Sequence, residues 1–255
     1  MFDRHYEVIL ADSKEAQTIH FRLRYLVYCM ETGFEDPNQF PDGLERDAWD
    51  DNAAHFIVRS LTTGEWVAAM RIILPKRGQL PIRQLCRLDA RTLPTASHVQ
   101  FGELSRLCIV DQARRRWQQH ATQRGVVNLM PPHNERREPD ILMGLLRAAA
   151  AFSRERGISH WYYMTTAALA RSVKRLNIMF KPVGPAVQHR GDRFPFLADM
   201  EESMRNISSI SEDHAAMIAR QTAYRLYSAV CHDEMSLPEL PETIKLPVRA
   251  LAVAK

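Results

Sequence analysis

Apolar and polar positions alternate along the chain with two different periods, and the changes of period divide it into elements. HYEVIL (residues 5–10) is short, apolar and partly β-branched, which predicts a first strand. Asp12-Ser13-Lys14-Glu15 then offers a capping-box-like helix start. Ile19, Leu23, Leu26, Val27 and Met30 recur at helical spacing and are expected to face the core, with Gly33 as the stop. Residues 34–53 are acidic and rich in turn formers, so they read as an ordered loop. AHFIVRSL and EWVAAMRIIL flank Thr62-Thr63-Gly64 and predict a β-hairpin. Residues 76–100 are less regular, and ELSRLCIV (103–110) reads as another central strand.

A long polar insertion follows and ends at Glu138-Pro139-Asp140, a combination that suits a helix start. The helix predicted over 140–156 carries Ile141, Leu145, Leu146, Ala149 and Phe152 on one stripe, and Gly157 stops it. ISHWYYMTT (158–166) predicts a strand and AALARSVKRLNIMF a helix closed by Lys181-Pro182; residues 183–188 are expected as a last strand. Beyond about residue 200 come a polar segment, an amphipathic helix near 212–230 and a proline-punctuated tail. The order implies an α/β fold with a mixed central sheet flanked by helices. The expected organisation is a core over 1–200 with a C-terminal helical extension and tail over 201–255.

Bulk composition narrows the class rather than the chemistry. At 255 residues, 45% apolar and 25% charged, the chain can bury a sizeable core without staples. It has no apolar run of membrane-spanning length and no secretory pattern at the N-terminus, so a cytoplasmic protein with at most peripheral membrane contact is expected. Cys29, Cys86, Cys108 and Cys231 are scattered without a metal-ligand spacing, and no metal is expected. The net charge of +4 is unevenly spread: Arg114, Arg115 and Arg116 run together, Arg124, Arg136 and Arg137 follow, and Arg147, Arg154 and Arg156 lie on the next helix. A solvated basic face is the plain reading and an acidic protein partner the functional one; no nucleic-acid motif stands beside the arginines.

Four polar constellations interrupt the apolar pattern. Arg24 and Tyr28, four apart on the first helix, share a face other than the Ile19/Leu23 stripe, and Phe34 follows. Glu45, Asp47, Asp50 and Asp51, with Trp49 among them, form an acidic stretch that would cap turns or pair with arginines, or hold a metal. Arg71 lies inside an apolar strand and needs a carboxylate. Glu103-Leu-Ser105-Arg106 opens a strand in which regular alternation would send Glu103 and Arg106 to opposite faces; a β-bulge would bring them to one side and expose a backbone N–H. An acid and a free N–H suit acyl transfer, but spacing alone leaves this reading and a structural Glu–Arg pair equally open.

In order and local spacing, Arg24, Tyr28, Phe34, Asp47, Asp50, Arg71, Glu103, Ser105 and Arg106 resemble the acyl-homoserine-lactone (autoinducer) synthases, which have a GNAT-like (acyl-CoA N-acyltransferase) fold. Tyr28 stands where that family usually has Phe. Phe34 stands where it usually has Trp, at the place expected to bind the acceptor. Over more of the chain (FRLRYLVYCMETGFED, FPDGLERDAWDDNAAHFIVR, LPIRQLC, FGELSRLCIV and RGISHWYYMTTAALAR) the sequence is similar to the exosortase-associated acyltransferases, N-acyl amino acid synthases of PEP-CTERM systems in Gram-negative bacteria. This resemblance implies transfer of a long-chain acyl group from acyl carrier protein to the amine of an amino acid, with an acyl thioester as co-substrate and no further cofactor.

On that reading Glu103 is expected as the base, tuned by Arg106 and partial burial, with Ser105 and Arg106 beside it. Arg24, Tyr28, Phe34, Asp47, Trp49, Asp50 and Arg71 would build the acceptor pocket, with Arg24 or Arg71 clasping the acceptor's carboxylate. Cys108 as a covalent nucleophile is the lesser alternative to a packing role. The CoA-gripping Q/R-x-x-G-x-G/A signature is absent after the central strand, which favours a carrier protein docking on Arg114, Arg115, Arg116, Arg136 and Arg137. A homoserine-lactone synthase using S-adenosylmethionine and a non-catalytic acyl-binding module of the same fold are the competing readings.

Overall fold

The structure is a computed structural model and describes residues 2–76, 78–94, 99–110, 137–220, 222–230 and 237–238. A first strand, β1 (Tyr6–Leu10), leads to helix α1 (Lys14–Arg24). The cap falls on Ser13 rather than Asp12: the Ser13 hydroxyl accepts from the Ala16 N–H, whereas Asp12 accepts from Ser228. The helix does not continue regularly to Gly33. Residues Tyr25–Glu31 form a π-helical stretch, in which Thr32 N–H reaches back five residues to the Val27 carbonyl. This widening shifts the buried row: Leu23, Leu26 and Val27 are buried as expected, but Cys29 takes the place expected for Met30.

The expected hairpin is β2 (Ala53–Ser60) against β3 (Trp66–Ile73), and Gly64 turns it at φ +73°, where a side chain would be strained. A short helix α2 (Pro81–Leu85) precedes β4 (Phe101–Ile109). Helix α3 (Arg137–Glu155) stops before Gly157, and β5 (His160–Thr165) runs parallel to β4. Helix α4 (Ala167–Arg175) ends earlier than expected, because Asn177 adopts φ +57° and the chain turns out of the helix. The residues assigned to its last turn instead form β6 (Phe180–Pro182), whose Phe180 packs edge-on against Phe196. After β7 (Val187–Gln188) comes a strand the sequence pattern concealed, β8 (Asp192–Asp199).

The chain then forms α5 (Met200–Ser208), α6 (Glu212–Ala219), β9 (Arg225–Leu226) and α7 (Tyr227–Val230). The single helix expected over 212–230 is therefore broken into three pieces. Met200, Met204, Ile207 and Met217 belong to the largest apolar cluster, with Phe56, Met70, Leu145 and Trp161. β9 pairs in parallel with β1. Among the described residues the sheet order is β6-β8-β5-β4-β3-β2-β1-β9, mixed in direction, as expected. Arg147, expected on a basic face, is buried and donates to Asp3 and to the Met217 carbonyl. Arg154 pairs with Glu201, and Arg156 lies over the Phe152 ring. No helix of the described residues is long and apolar enough to cross a membrane.

Candidate active site

β4 departs from regularity at two places that coincide. Its pairing with β3 runs Ala69↔Cys108 and then Arg71↔Ser105, so Arg106 and Leu107 together face Met70 alone. This is the β-bulge expected from the motif, and Arg106 sits in it at φ +53°. Pairing with β5 ends at Leu104↔Tyr163, although β4 continues to Ile109 and β5 to Thr165. The two parallel strands part there, leaving a stretch of β4 from Ser105 onward with no β5 partner. An extended substrate can be gripped by such a strand edge.

The sheet face beneath α1 and the acidic loop collects the polar side chains. Arg71 and Arg24 are 2% and 0% exposed. Arg71 donates to both Asp47 oxygens at 2.7 and 2.8 Å, to Asp50 at 2.6 Å and to the Ser105 hydroxyl at 2.9 Å. Arg24 donates to Glu45 and Asp50, and Arg106 to Glu45, Asp47 and Glu35. Removing three guanidiniums from water is affordable only because each meets carboxylates in good geometry. Burial by itself would raise the Asp47 carboxyl; the hydrogen bonds and charge of Arg71, with Arg106 and Arg24 behind, hold it far below the usual range. Asp50 and Glu45 are lowered in the same way: burial is the largest single influence and raises both, and the charge and hydrogen bonds of Arg24, together with Arg71 for Asp50 and Arg106 for Glu45, outweigh it. The acidic stretch thus pairs with arginines, and no group that could hold a metal is found among the described residues.

Arg24, on a face other than the Ile19/Leu23 stripe, is nevertheless fully buried. The guanidinium over the Tyr28 ring is that of Arg106, and the Tyr28 hydroxyl donates at 2.8 Å to the carbonyl of Leu107 in the bulge. Trp49 packs against an apolar cluster with Ile73, Leu80, Ile82 and Tyr162. Phe34 is 44% exposed, with Arg193 over its ring. Arg114, Arg115, Arg116 and Arg136 lie outside the described residues, as does the side chain of Arg137.

Glu103 shares the face of Arg71 and Ser105 but is not paired with Arg106. It is 3% exposed, and its carboxylate accepts from the Ile82 N–H at 2.8 Å. Burial pushes its pKa up to about 7; the Ile82 N–H and Arg71 lower it, and Asp47 raises it. The expected tuning by Arg106 is thus replaced by burial, a backbone donor and Arg71. An acid titrating near neutrality can exchange a proton with an ammonium, as a fully ionised carboxylate could do only weakly. The Cys108 thiol is pushed up to about 12 by burial, which leaves no thiolate for a covalent route.

Sequence reading missed two parts of the site. His20 and His55 lie under the loop with ring centroids 4.6 Å apart, and both are held neutral chiefly by burial, His55 at about 4. His55 faces Arg71 across the hairpin, a position its place in the strand could have suggested. Glu35 pairs with Arg190 as well as Arg106, a contact between distant segments that no local signal announces.

Residues 23–122 match the family model of an acetyltransferase (GNAT) domain. No curated protein matches the chain in sequence. Among solved structures it is similar to a CoA-dependent acyl-homoserine lactone synthase, BjaI, bound to SAM and isopentyl-CoA. The identity is 17% and the TM-score 0.57, over 92% of this chain and 95% of that one. It is similar also to TofI in a ternary complex with an inhibitor and MTA: 17% identity, TM-score 0.54, 82% of this chain and 99% of that one. FeeM, an N-acyl amino acid synthase from uncultured soil microbes, superposes more loosely, with a TM-score of 0.48 at 10% identity over 79% and 93% of the two chains. These likenesses establish the fold, and the domain match the class: the chain has the GNAT fold and is an enzyme of the N-acyltransferase class.

Proposed function

We propose that the enzyme moves a long-chain fatty acyl group from the thioester of an acyl carrier protein to the amine of an amino acid. The observation that carries this reading is Glu103, a buried carboxyl titrating near 7 on the sheet face beside the place where β4 and β5 part. Glu103 takes a proton from the acceptor's ammonium, directly or through water. The freed amine attacks the thioester carbonyl, the tetrahedral intermediate collapses to the amide, and the thiolate leaves and takes up a proton. The reaction is downhill, so the protein's task is orientation and proton removal. Arg24, Arg71, Asp47 and Asp50 act by fixing the loop over residues 34–53 against the sheet, with Ser105 and Arg106 anchored in the same network.

The missing CoA signature supports a carrier-protein donor. Among the described residues, exposed Arg171, Lys174 and Arg175 on α4, flanked by exposed Leu169 and Met179, form a basic and apolar surface beside the end of β5. That surface suits an acidic carrier and joins the Arg114–Arg116 segment as a docking candidate. The setting beside an exosortase system rests on the sequence resemblance, and the cytoplasmic location on the scattered cysteines, which read as reduced thiols. The fold shared with BjaI, described as CoA-dependent, favours CoA as the alternative donor.

The test is mass spectrometry of lipids from a host expressing the chain, followed by assays of purified enzyme with carrier-bound and CoA-bound acyl groups. A new N-acyl amino acid is expected, together with a 10²- to 10⁴-fold fall in turnover in Glu103→Gln, the range for loss of a general base. A folded, fully active Glu103→Gln enzyme refutes the base assignment. An acyl-homoserine lactone as the product replaces the acceptor, and faster turnover with acyl-CoA replaces the donor.

A further inference from the structure

If Glu103 serves the acceptor's amine, the acceptor's carboxylate needs a cation of its own, and the arginines of the network are already committed. Arg24 and Arg71 are sealed beneath the loop, each between two carboxylates. Arg106 is engaged by Glu35, Glu45 and Asp47. Arg190, on the turn between β7 and β8, pairs with Glu35. Four guanidiniums thus meet four carboxylates, and Arg24 and Arg71, 0% and 2% exposed, are closed to an incoming carboxylate.

Arg193 is a fifth guanidinium at the same place and has no carboxylate partner among the described residues. It is half-buried, and its guanidinium carbon lies 5.5 Å from the centroid of the Phe34 ring. Its position follows from the strand register. Leu197 lies opposite Tyr162, Pro195 opposite Met164 and Phe194 opposite Thr165. Tyr162 in turn lies opposite Glu103. By the two-residue alternation of a strand, Arg193 therefore belongs to the row of Leu197 and Pro195, on the face that carries Glu103. It stands at the end of β5, where β5 has parted from β4. The hairpin that carries it is tied across to the acidic loop by Arg190 and Glu35.

We propose that Arg193, seated on Phe34, binds the carboxylate of the acceptor and so determines that the substrate is an amino acid rather than a simple amine. A guanidinium offers a planar, two-pronged donor that matches a carboxylate, and the ring beneath it fixes the plane of that fork. Because Arg193 keeps part of its surface in solvent, an incoming carboxylate reaches it without displacing a protein partner. The proposal rests on the amino-acid-acceptor reading given above.

The experiment compares the amino acid turned over fastest, out of a panel of the twenty, with its own carboxamide. Wild-type, Arg193→Gln and Arg193→Lys enzymes are assayed with a long-chain acyl group on acyl carrier protein. In the wild type the carboxamide should show a KM ten- to a hundredfold above that of the amino acid, the loss expected for one charge-assisted hydrogen bond. Arg193→Gln should raise the amino acid's KM to the level of the carboxamide, leaving kcat and the donor's KM within about twofold. Arg193→Lys should recover part of the difference. The proposal is overturned if Arg193→Gln leaves the amino acid's KM unchanged, or if it raises the KM of the carrier thioester instead, which would assign the guanidinium to the donor's phosphate. If the wild-type enzyme acylates no amino acid, the functional reading falls and the clamp with it; if it does and Arg193→Gln behaves as wild type, the clamp alone falls.

Discussion

On the proposed mechanism, Glu103 sits where stability and activity ask for opposite charge states. Burial raises its pKa from 4.5 to about 7, so folding favours the protonated carboxyl, whereas proton abstraction needs the carboxylate. The stability this group contributes is complete below its unfolded pKa and is lost as pH rises through about 7, up to about 3 kcal/mol at 1.36 kcal/mol per unit. Glu103→Gln keeps an oxygen for the Ile82 N–H and carries no charge to desolvate. The wild type should therefore lose urea resistance between pH 5.5 and 8.5 relative to the variant, while its kcat/KM rises with an inflection near 7. Parallel pH dependences of stability in the two proteins would show that Glu103 is not the raised group. The sequence identified Glu103 because an acid inside an apolar strand is conspicuous. It could not supply the partner, because Ile82 comes from a segment with no clear periodicity and meets Glu103 only in the folded sheet.

At the scale of elements, the bulge in β4 is held from outside the sheet. Leu107 contributes its carbonyl, and the Tyr28 hydroxyl on the π-helical stretch donates to it while the Tyr28 ring supports the Arg106 guanidinium. Tyr28→Phe keeps the ring and removes the donor. The variant should fold, lose about 1–2 kcal/mol in chemical denaturation from the unpaired carbonyl, and show a few-fold drop in kcat as Arg106 loosens. Unchanged stability would mean that solvent or another donor already satisfies that carbonyl. The bulge was legible because Glu103 and Arg106 are both polar in a strand whose alternation would bury only one of them. The π-helical stretch was not, since the spacing of apolar residues from Tyr25 to Met30 fits an α-helix equally well and tertiary packing decides between them. Strand β8 escaped for a similar reason: Pro195 argues against a strand locally, yet Val183 N–H bonds to the Pro195 carbonyl and the sheet pairs on both sides.

At the scale of the molecule, charge is spent unevenly. Of the arginines on and just after α3, Arg147 is buried against Asp3, whereas Arg154 and Arg156 stay exposed beside Glu201 and the Phe152 ring. Arg171, Lys174 and Arg175 have no carboxylate partner among the described residues and line the exposed side of α4, which starts where β5 ends. An acidic carrier approaching that end of the strands would be steered by this face, and steering acts mainly on the rate of encounter and weakens with salt. Changing all three to glutamate should lower kcat/KM for a carrier-bound acyl group by tenfold or more, leave kcat at saturating donor near wild type, and abolish the decline of kcat/KM between 50 and 300 mM salt, concentrations chosen to span about a twofold change in Debye length. The same triple variant should treat a small acyl thioester without a carrier as the wild type does, because none of the three residues belongs to the buried network. A carrier-dependent kcat/KM that is indifferent to these changes would move docking to the Arg114–Arg116 segment, where the corresponding glutamate variants make the reciprocal test.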